Sequence, residues 1–296
     1  MTEPVHRTGL VAIVGRPNVG KSTLLNHLVG QKISITSRKP QTTRQRITGI
    51  LTKPEGQLVF VDTPGFQTEH RSALTKAMNR TVRRALEEVD VVLWVVEATR
   101  FDERDQAMLK LLPQKVPVVL AINKIDRLRD KSSLLPFTQR MSESHPFAAI
   151  VPIAAEKDQQ LSDLVTAILE LLPEGERMYD EEEVTTLSER FLAAELVREK
   201  LFRLLGDELP YAAAVEVESF ETSADLRRVR VAILVDKAGQ KAIIIGKNGE
   251  KLKKVGTQAR KDMERLFGGK VFLETWVRVR SGWADDSATL KRLGIG

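Results

Sequence analysis

Cysteine is absent from the 296 residues. That absence excludes disulfides, thiolate metal sites and thiol catalysis, and it fits a reducing compartment. Long apolar runs are missing too. The N-terminal stretch MTEPVHRTG holds nothing that could serve as a signal peptide, and no later segment reaches the length of a membrane span. The expectation is a cytoplasmic protein. A large charge imbalance is also lacking: the formal net charge is +6, which points to a polyanionic partner only where positive charge is concentrated. No internal repeat is visible. What remains is an ordinary globular composition, 42% hydrophobic and 29% charged, on a chain long enough for two cores.

From residue 9 to about 172, short apolar runs alternate with amphipathic stretches. LVAIVG, LVFVD, VVLWVVEA, VPVVLAINK and AAIVPIA read as buried strands. The stretches 74–89, 104–112 and 158–171 read as helices between them. Runs apolar on both faces belong in sheets covered by helices, so this half is α/β with a mainly parallel sheet. LLPEGERMYDEEEVTT then breaks the rhythm with proline, glycine and an acidic cluster. The expected division is a first domain over 1–173, a linker over 174–186 and a second domain over 187–296. In the second domain, 187–205 reads as a helix, 211–218 and 227–235 as strands, 240–245 as a short helix, 250–266 as a longer helix and KVFLETWVRVR as a last strand. That order predicts a small α+β domain with an open sheet.

GRPNVGKST, residues 15–23, fits G-x-x-x-x-G-K-[ST] in full, directly after a strand and before the helical stretch TLLNHLVG. The amides of the turn, from Gly15 through Asn18, Val19 and Gly20 to Thr23, can surround phosphates at a helix N-terminus. Lys21 brings a point charge to the β and γ phosphates, and Ser22 offers a hydroxyl to Mg²⁺. Gly20 is expected where a side chain would crowd the phosphate. ATP and GTP are both open at this point. DTPG, residues 62–65, ends a strand, so that Asp62 can order the Mg²⁺ water shell and Gly65 can present its amide to a γ-phosphate. NKID, residues 123–126, ends another. There Asp126 can accept from both donors on the Watson–Crick edge of guanine, Lys124 can lay its stem against the base, and Asn123 opens the turn. Adenine would leave the Asp126 carboxylate unpaired and be rejected. The ligands predicted are GTP and GDP with Mg²⁺.

With these motifs in this order, the sequence resembles the translation-factor-related class of Ras-like GTPases and, within it, the Era family. The resemblance makes QTTR at 41–44 the first switch segment, with Thr43 the preferred Mg²⁺ ligand and Thr42 the alternative, and DTPGF the second. AAEK at 154–157 takes the place of the last base-binding loop, with Ala154 lacking the usual hydroxyl and the amides around Ala155 contacting the base. Lys21, Thr43, Asp62 and Gly65 would carry hydrolysis. Phe66 follows DTPG where Ras-like switches place a water-orienting glutamine, so slow intrinsic turnover is expected.

The second half holds another glycine turn, IIIGKNGEKLKK at 243–254. Gly246-x-x-Gly249 on its own is a common helix–helix turn. Here it separates a short helix from a longer one, and residues 240–261 carry seven Lys or Arg against Glu250 alone, a net of +6. Such a turn lets a single-stranded nucleic acid backbone approach closely. The candidate contacts are Ile245, Gly246, Lys247, Asn248, Gly249, Lys251 and Lys254. Ile243, Ile244 and Ile245 are expected to divide between core and groove. Arg278 and Arg280 either extend the basic surface or form the solvated face of a strand. Trp276 and Trp283 are candidates to stack on bases, with core anchoring the other reading of Trp276.

This arrangement resembles a type II KH domain, and WVRVRSGWADD resembles the Era-family C-terminus in position and wording. The full expectation is a P-loop, Ras-like GTPase domain followed by a small α+β type II KH domain. The resemblance implies binding of the 3′ end of small-subunit ribosomal RNA and a role in small ribosomal subunit assembly. It also implies a free monomer and peripheral association with the inner membrane. The rival is a GTP-dependent assembly factor whose second domain binds a protein or another RNA.

Overall fold

The computed structural model describes residues 6–37, 39, 42–67, 72–206 and 209–295. Gln41, part of the expected first switch segment, lies outside them. The chain forms two compact units. The first comprises Met1–Ser34, Thr43–His70 and Met78–Thr186; the second joins Leu187–Gly296 with the short stretches Ile35–Thr42 and Arg71–Ala77.

The first unit is built on a six-stranded sheet with the order β2-β3-β1-β4-β5-β6. Its strands are β1 (Arg7–Val14), β2 (Ile47–Lys53), β3 (Gly56–Asp62), β4 (Val91–Glu97), β5 (Val118–Asn123) and β6 (Ala149–Pro152). All neighbours run parallel except β2, which lies antiparallel to β3. Every residue of β3 and β5 is buried, as expected for strands covered on both faces. The helices are α1 (Lys21–Val29), α2 (Ala73–Glu87, of this unit from Met78 onward), α3 (Glu103–Leu109), α4 (Leu134–Ser144) and α5 (Leu161–Leu169). Strand order reverses around β1, so the turn after β1 opens the crevice where open α/β sheets hold ligands.

Two of these elements went unread in the sequence. Strand β2 is a half-buried edge strand interrupted by Gly49. A Cβ on Gly49 would lie 2.6 Å from Leu25 Cδ1 of α1, so the glycine permits close packing of helix on strand. Helix α4 carries Pro136 in its first turn, where proline is tolerated, and buries only Phe137 and Met141. Helix α3 ends at Leu109, short of the expected 112. It starts with a capping box in which Asp102 accepts from Arg104 N and Asp105 accepts from Asp102 N.

In the second unit, helix α6 (Glu189–Leu204) starts at Ser188, whose hydroxyl accepts from Phe191 N. Strands β7 (Ala213–Ser223) and β8 (Leu226–Val235) form an antiparallel hairpin. Helices α7 (Ala238–Ile245) and α8 (Glu250–Phe267) follow, then strand β9 (Lys270–Val279) and helix α9 (Ser287–Arg292). The sheet order is β7-β8-β9, with β9 parallel to β8. Strand β7 runs past the expected end because the register shifts between Val217 and Ser219 and pairing resumes beyond it. One face of the sheet packs on the helices: Val229, Val231 and Ile233 of β8 meet Leu196 and Leu201 of α6 and Val255, Ala259 and Met263 of α8. The four-residue spacing of that last trio sets them on one helical face, leaving the lysines of α8 outside.

Candidate functional site

The turn between β1 and α1 is shaped by glycines at positions other residues could not occupy. Gly15 has φ +148°, and a Cβ there would sit 2.4 Å from the Val95 carbonyl oxygen. Gly20 has φ +105°, and a Cβ would sit 2.4 Å from Asn123 Nδ2. Glycine is thus required at position 20 by a protein neighbour as well as by the room a phosphate would need. Gly65 is equally constrained, since its Cβ would fall 2.8 Å from the Pro17 nitrogen. That packing sets the turn after β3 directly on the phosphate-loop candidate.

Lys21 opens α1, is buried, and donates to the Gly15 and Arg16 carbonyls at 3.0 and 3.1 Å. Its ammonium is therefore held by the loop's own backbone. Burial pushes its pKa down to about 8, against the opposing charge of Asp62. Burial raises the Asp62 carboxyl, opposed by Lys21 and by the hydroxyls of Ser22, Ser34 and Thr43. Both groups are thus shifted towards neutrality by desolvation. A phosphate beside the lysine and a cation beside the aspartate would each reverse that shift.

Hard oxygen donors converge on Asp62. Ser22 Oγ donates to Asp62 Oδ2 at 2.8 Å, Ser34 Oγ at 3.2 Å and Thr43 Oγ1 at 3.4 Å. Thr43 Oγ1 also lies 2.8 Å from Ser22 Oγ. The second carboxylate oxygen, Asp62 Oδ1, is buried with no hydrogen-bond partner among the described residues. Two hydroxyls and a buried carboxylate with an unsatisfied oxygen are the donor set that Mg²⁺ prefers, so these residues fit the ion. Thr42 is placed otherwise: its hydroxyl donates to the Lys39 carbonyl at 2.9 Å. Ser34 had no sequence motif to announce it. It is fixed by Asn26, which donates to the Ser34 carbonyl at 2.7 Å and accepts from Ile33 N and Ser34 N.

The turn after β5 is tied to the same loop. Asn123 Nδ2 donates to the Val19 carbonyl at 2.8 Å, while its Oδ1 accepts from Lys124 N at 2.8 Å and Ala155 N at 3.0 Å. Lys124 adopts φ +68°, and its ammonium reaches the Asn18 carbonyl at 2.7 Å and Glu97 Oε2 at 2.9 Å. Asp126 lies in the short 3-10 turn that follows, Ile125–Arg127. Although Ala154 has no hydroxyl, its loop is secured by a two-way backbone pairing between Ala154 and Gln159 and by Asp158 Oδ1 against His27 Nδ1 at 2.5 Å. Asn18, Val19, Gly20, Lys21, Ser22, Thr23, Asn123, Lys124, Asp126, Ala154 and Ala155 thus all lie at the end of β5, on the turns after β1, β5 and β6 or on the start of α1. Phe66 is only 8% exposed and belongs to the same buried apolar cluster as Val82, Leu86 and Trp94; its ring is part of the core.

In the second unit, α7 ends at Gly246 with φ +70° and ψ 179°, and the turn Lys247–Gly249 leads into α8. A Cβ on Gly246 would sit 2.7 Å from Lys251 Cγ, so the stem of Lys251 lies along the turn. Asn248 (φ +51°) and Gly249 (φ +78°) are both left-handed. Lys247, Asn248, Lys251, Lys253 and Lys254 are exposed. The isoleucines divide as expected, Ile244 at 0% exposure and Ile243 at 51%, with Ile245 between. One reading needs correction. Trp283 is 1% exposed and donates from Nε1 to the Ala212 carbonyl at 3.0 Å; it anchors the core and is not a stacking platform. Of the two readings of Arg278 and Arg280, the solvated strand face fits: Arg278 pairs with Glu218 at 2.8 Å and Arg280 with Asp286 at 3.0 Å. Trp276 is half-buried with the Arg230 guanidinium 5.6 Å from its ring centre.

Comparison with known proteins agrees with this geometry. Residues 10–124 match the family model described as 50S ribosome-binding GTPase, and residues 208–284 match the KH domain model. The chain is 57% identical over 294 residues to the GTPase Era of Nitrosomonas eutropha, covering 99% of each. A crystal structure of a variant of Aquifex aeolicus Era bound to GDP and AlF4⁻ superposes with a TM-score of 0.94 at 39% identity, covering 98% of this chain and 99% of that one. A structure of Era in complex with MgGDPNP and nucleotides 1506–1542 of 16S ribosomal RNA gives a TM-score of 0.95 at 39% identity, with the same coverage.

Proposed function

Because the chain belongs to the Era family of GTPases, we propose that it is a GTP-driven switch addressed to the 3′ end of small-subunit ribosomal RNA and acting in small ribosomal subunit assembly. It is a GTPase and uses GTP, GDP and Mg²⁺. The observation that supports the nucleotide site is the convergence of Ser22 and Thr43 on the buried Asp62, whose Oδ1 has no hydrogen-bond partner among the described residues, beside the buried charge of Lys21.

The residues divide the work as follows. The 15–23 turn and the start of α1 surround the phosphates, and Lys21 exchanges its two backbone carbonyls for phosphate oxygens. Ser22 and Thr43 hold Mg²⁺, with Asp62 behind through its water shell; the ion supplies neutralising charge as the terminal phosphate leaves. Gly65 offers its amide to the γ-phosphate. Asp126 reads the guanine edge, Lys124 lies along the base, and the amides around Ala155 complete the base pocket. Phe66 has no hydrogen-bonding group and its ring is buried, so water is oriented without a side chain at that position and turnover is slow. The nucleotide function belongs to residues 1–173 and the RNA function to 187–296, with 174–186 between them.

On the RNA side, the Gly246 turn supports the reading: its backbone is free of Cβ atoms at two of four positions and flanked by exposed lysines. Ile245, Gly246, Lys247, Asn248 and Gly249 face the RNA backbone, with Lys251 and Lys254 on its phosphates. The free protein is a monomer, and contact with the inner membrane is peripheral; no described helix is long and apolar enough to cross a membrane. Vesicle flotation and light scattering test these two points.

The decisive experiment measures binding of an oligoribonucleotide with the sequence of the small-subunit 3′ end, in the GTP-analogue and GDP states. Salt-sensitive binding that depends on nucleotide, is lost in Gly246→Asp and is weakened in Lys247→Ala supports the reading. Binding indifferent to both substitutions moves the RNA elsewhere. No binding in either state favours a protein partner.

A further inference from the structure

Between the phosphate turn and the guanine turn lies a strap of charges in which Glu97 and Asp105, outside both motifs, join a residue of each. Arg16, in the second position of the phosphate loop, is buried, and its Nε donates to Asp105 Oδ2 at 2.9 Å. Asp105 is itself fully buried and belongs to the capping box of α3. The other end of the Arg16 guanidinium reaches Glu97 Oε2 at 3.3 Å. That same oxygen accepts from Lys124 Nζ at 2.9 Å. One carboxylate oxygen at the end of β4 therefore joins the phosphate loop to the lysine of NKID.

Lys124 is the residue most in need of such a hold. Its φ of +68° is left-handed, a conformation that side-chain-bearing residues keep only when their surroundings over-determine it. Here the determinants are three: its amide on Asn123 Oδ1, its ammonium on the Asn18 carbonyl, and its ion pair with Glu97. The first two are backbone and motif contacts. The third comes from a separate strand, and it also offsets the like charge of Arg16. Burial pushes the Glu97 carboxyl up, but the hydrogen bond and charge of Lys124, with Arg16, prevail and hold it below its ordinary range. Glu97 is thus ionised throughout the physiological range and available as the shared counter-charge.

We propose that Glu97 is a positioning residue of the guanine-nucleotide site, acting through Lys124 and Arg16 to hold the base-stacking lysine and the phosphate loop in register. The inference rests on the nucleotide reading above. Without the carboxylate, Lys124 keeps its motif contacts but loses the restraint that lays its stem flat, and two cations face each other across the site. Nucleotide retention suffers, whereas chemistry at the γ-phosphate, set by Lys21, Ser22, Thr43 and Asp62, does not.

The test is a double-mutant cycle in the full chain, read as the dissociation rate of a fluorescent GDP. Glu97→Gln keeps size and hydrogen-bonding capacity and removes charge. It should speed GDP dissociation about tenfold, because charge assistance roughly doubles the strength of the hydrogen bonds from Lys124 and Arg16, while kcat at saturating GTP stays within twofold. Glu97→Asp, which keeps the charge, should recover part of the loss. In a Lys124→Met background the Glu97→Gln effect should shrink to less than about threefold, because residues acting as one unit are not additive. A Glu97→Gln rate equal to that of the parent, or a tenfold effect that persists undiminished in Lys124→Met, overturns the proposal. If the parent itself fails to retain GDP, the nucleotide reading falls instead. Melting of the nucleotide-free variants identifies a folding defect, in which case the Glu97→Asp comparison decides.

Discussion

The side-chain amide of Asn123 donates to the Val19 carbonyl at 2.8 Å, so the turn that would read the base also holds the loop that would read the phosphates. Its oxygen serves the amides of both Lys124 and Ala155. In Asn123→Ala, two amides and a carbonyl lose their shared partner at a buried point. Each such group costs ~1–3 kcal/mol when left unpaired. The expected outcome is a loss of GDP affinity of at least about tenfold with a lower melting temperature, measured by calorimetry and thermal unfolding.

Lys21 gives a pH prediction with a definite sign. In the free protein burial brings it to about 8 from the ordinary 10.5, while a phosphate partner favours its cation. Binding therefore takes up a proton above pH 8. GDP affinity should be full below about pH 8 and fall by up to about tenfold per unit above it. Isothermal titration across pH 7–10 reads this, and Lys21→Gln should flatten the profile. Removing the charge by Lys21→Ala should cost at least ~2 kcal/mol of affinity at neutral pH. Unfolding of the free protein has the opposite dependence: the unfolded chain holds more protons on this residue between about 8 and 10.5, so its contribution to stability rises with pH there.

Phe66 invites an engineering error. Replacing it with glutamine to supply a water-orienting amide would bury that amide in the apolar cluster to which Phe66 belongs. The expected result of Phe66→Gln is destabilisation by ~1–3 kcal/mol with no gain in kcat. A denaturant melt and a single-turnover hydrolysis assay separate the two effects.

The lysines of the second unit make a salt prediction. For a single strand, log affinity falls with log salt by about 0.7 per phosphate contact. Lys247→Ala, Lys251→Ala and Lys254→Ala should each lower that slope by about 0.7. Lys253→Ala, with no assigned phosphate, serves as the comparison. Filter binding between low and moderate salt is sufficient.

What could be read from the sequence followed from local redundancy. Strands β3 and β5 are buried along their whole length because both faces are covered, and that leaves the short apolar runs LVFV and VVLAI visible in the sequence. The nucleotide motifs are contiguous, so their spacing alone brings their residues forward. Strand β2 and helix α4 were missed because their signals are diluted, one by Gly49 and an open face, the other by Pro136 and a single buried pair. The strap of Arg16, Glu97, Asp105 and Lys124 was invisible for another reason: its members come from four separate elements, and only the sheet order makes them neighbours. Trp283 was misjudged because a polar neighbourhood in sequence says nothing of the Ala212 carbonyl opposite its ring nitrogen.

Strand β9 reaches its place beside β8 only after α7, the Gly246 turn and α8 have crossed over, because the two strands run parallel. On a translating ribosome this sets an order of events. The six strands of the first sheet are all made once Pro152 has been added, whereas the second sheet must wait for Val279. At ~5–20 residues per second, the second sheet is completed roughly 6–25 s later. For most of that interval the lysine-rich turn has not yet been made, and once made it waits for the strand that closes its sheet. A nascent chain could therefore hold guanine nucleotide before it can recognise RNA.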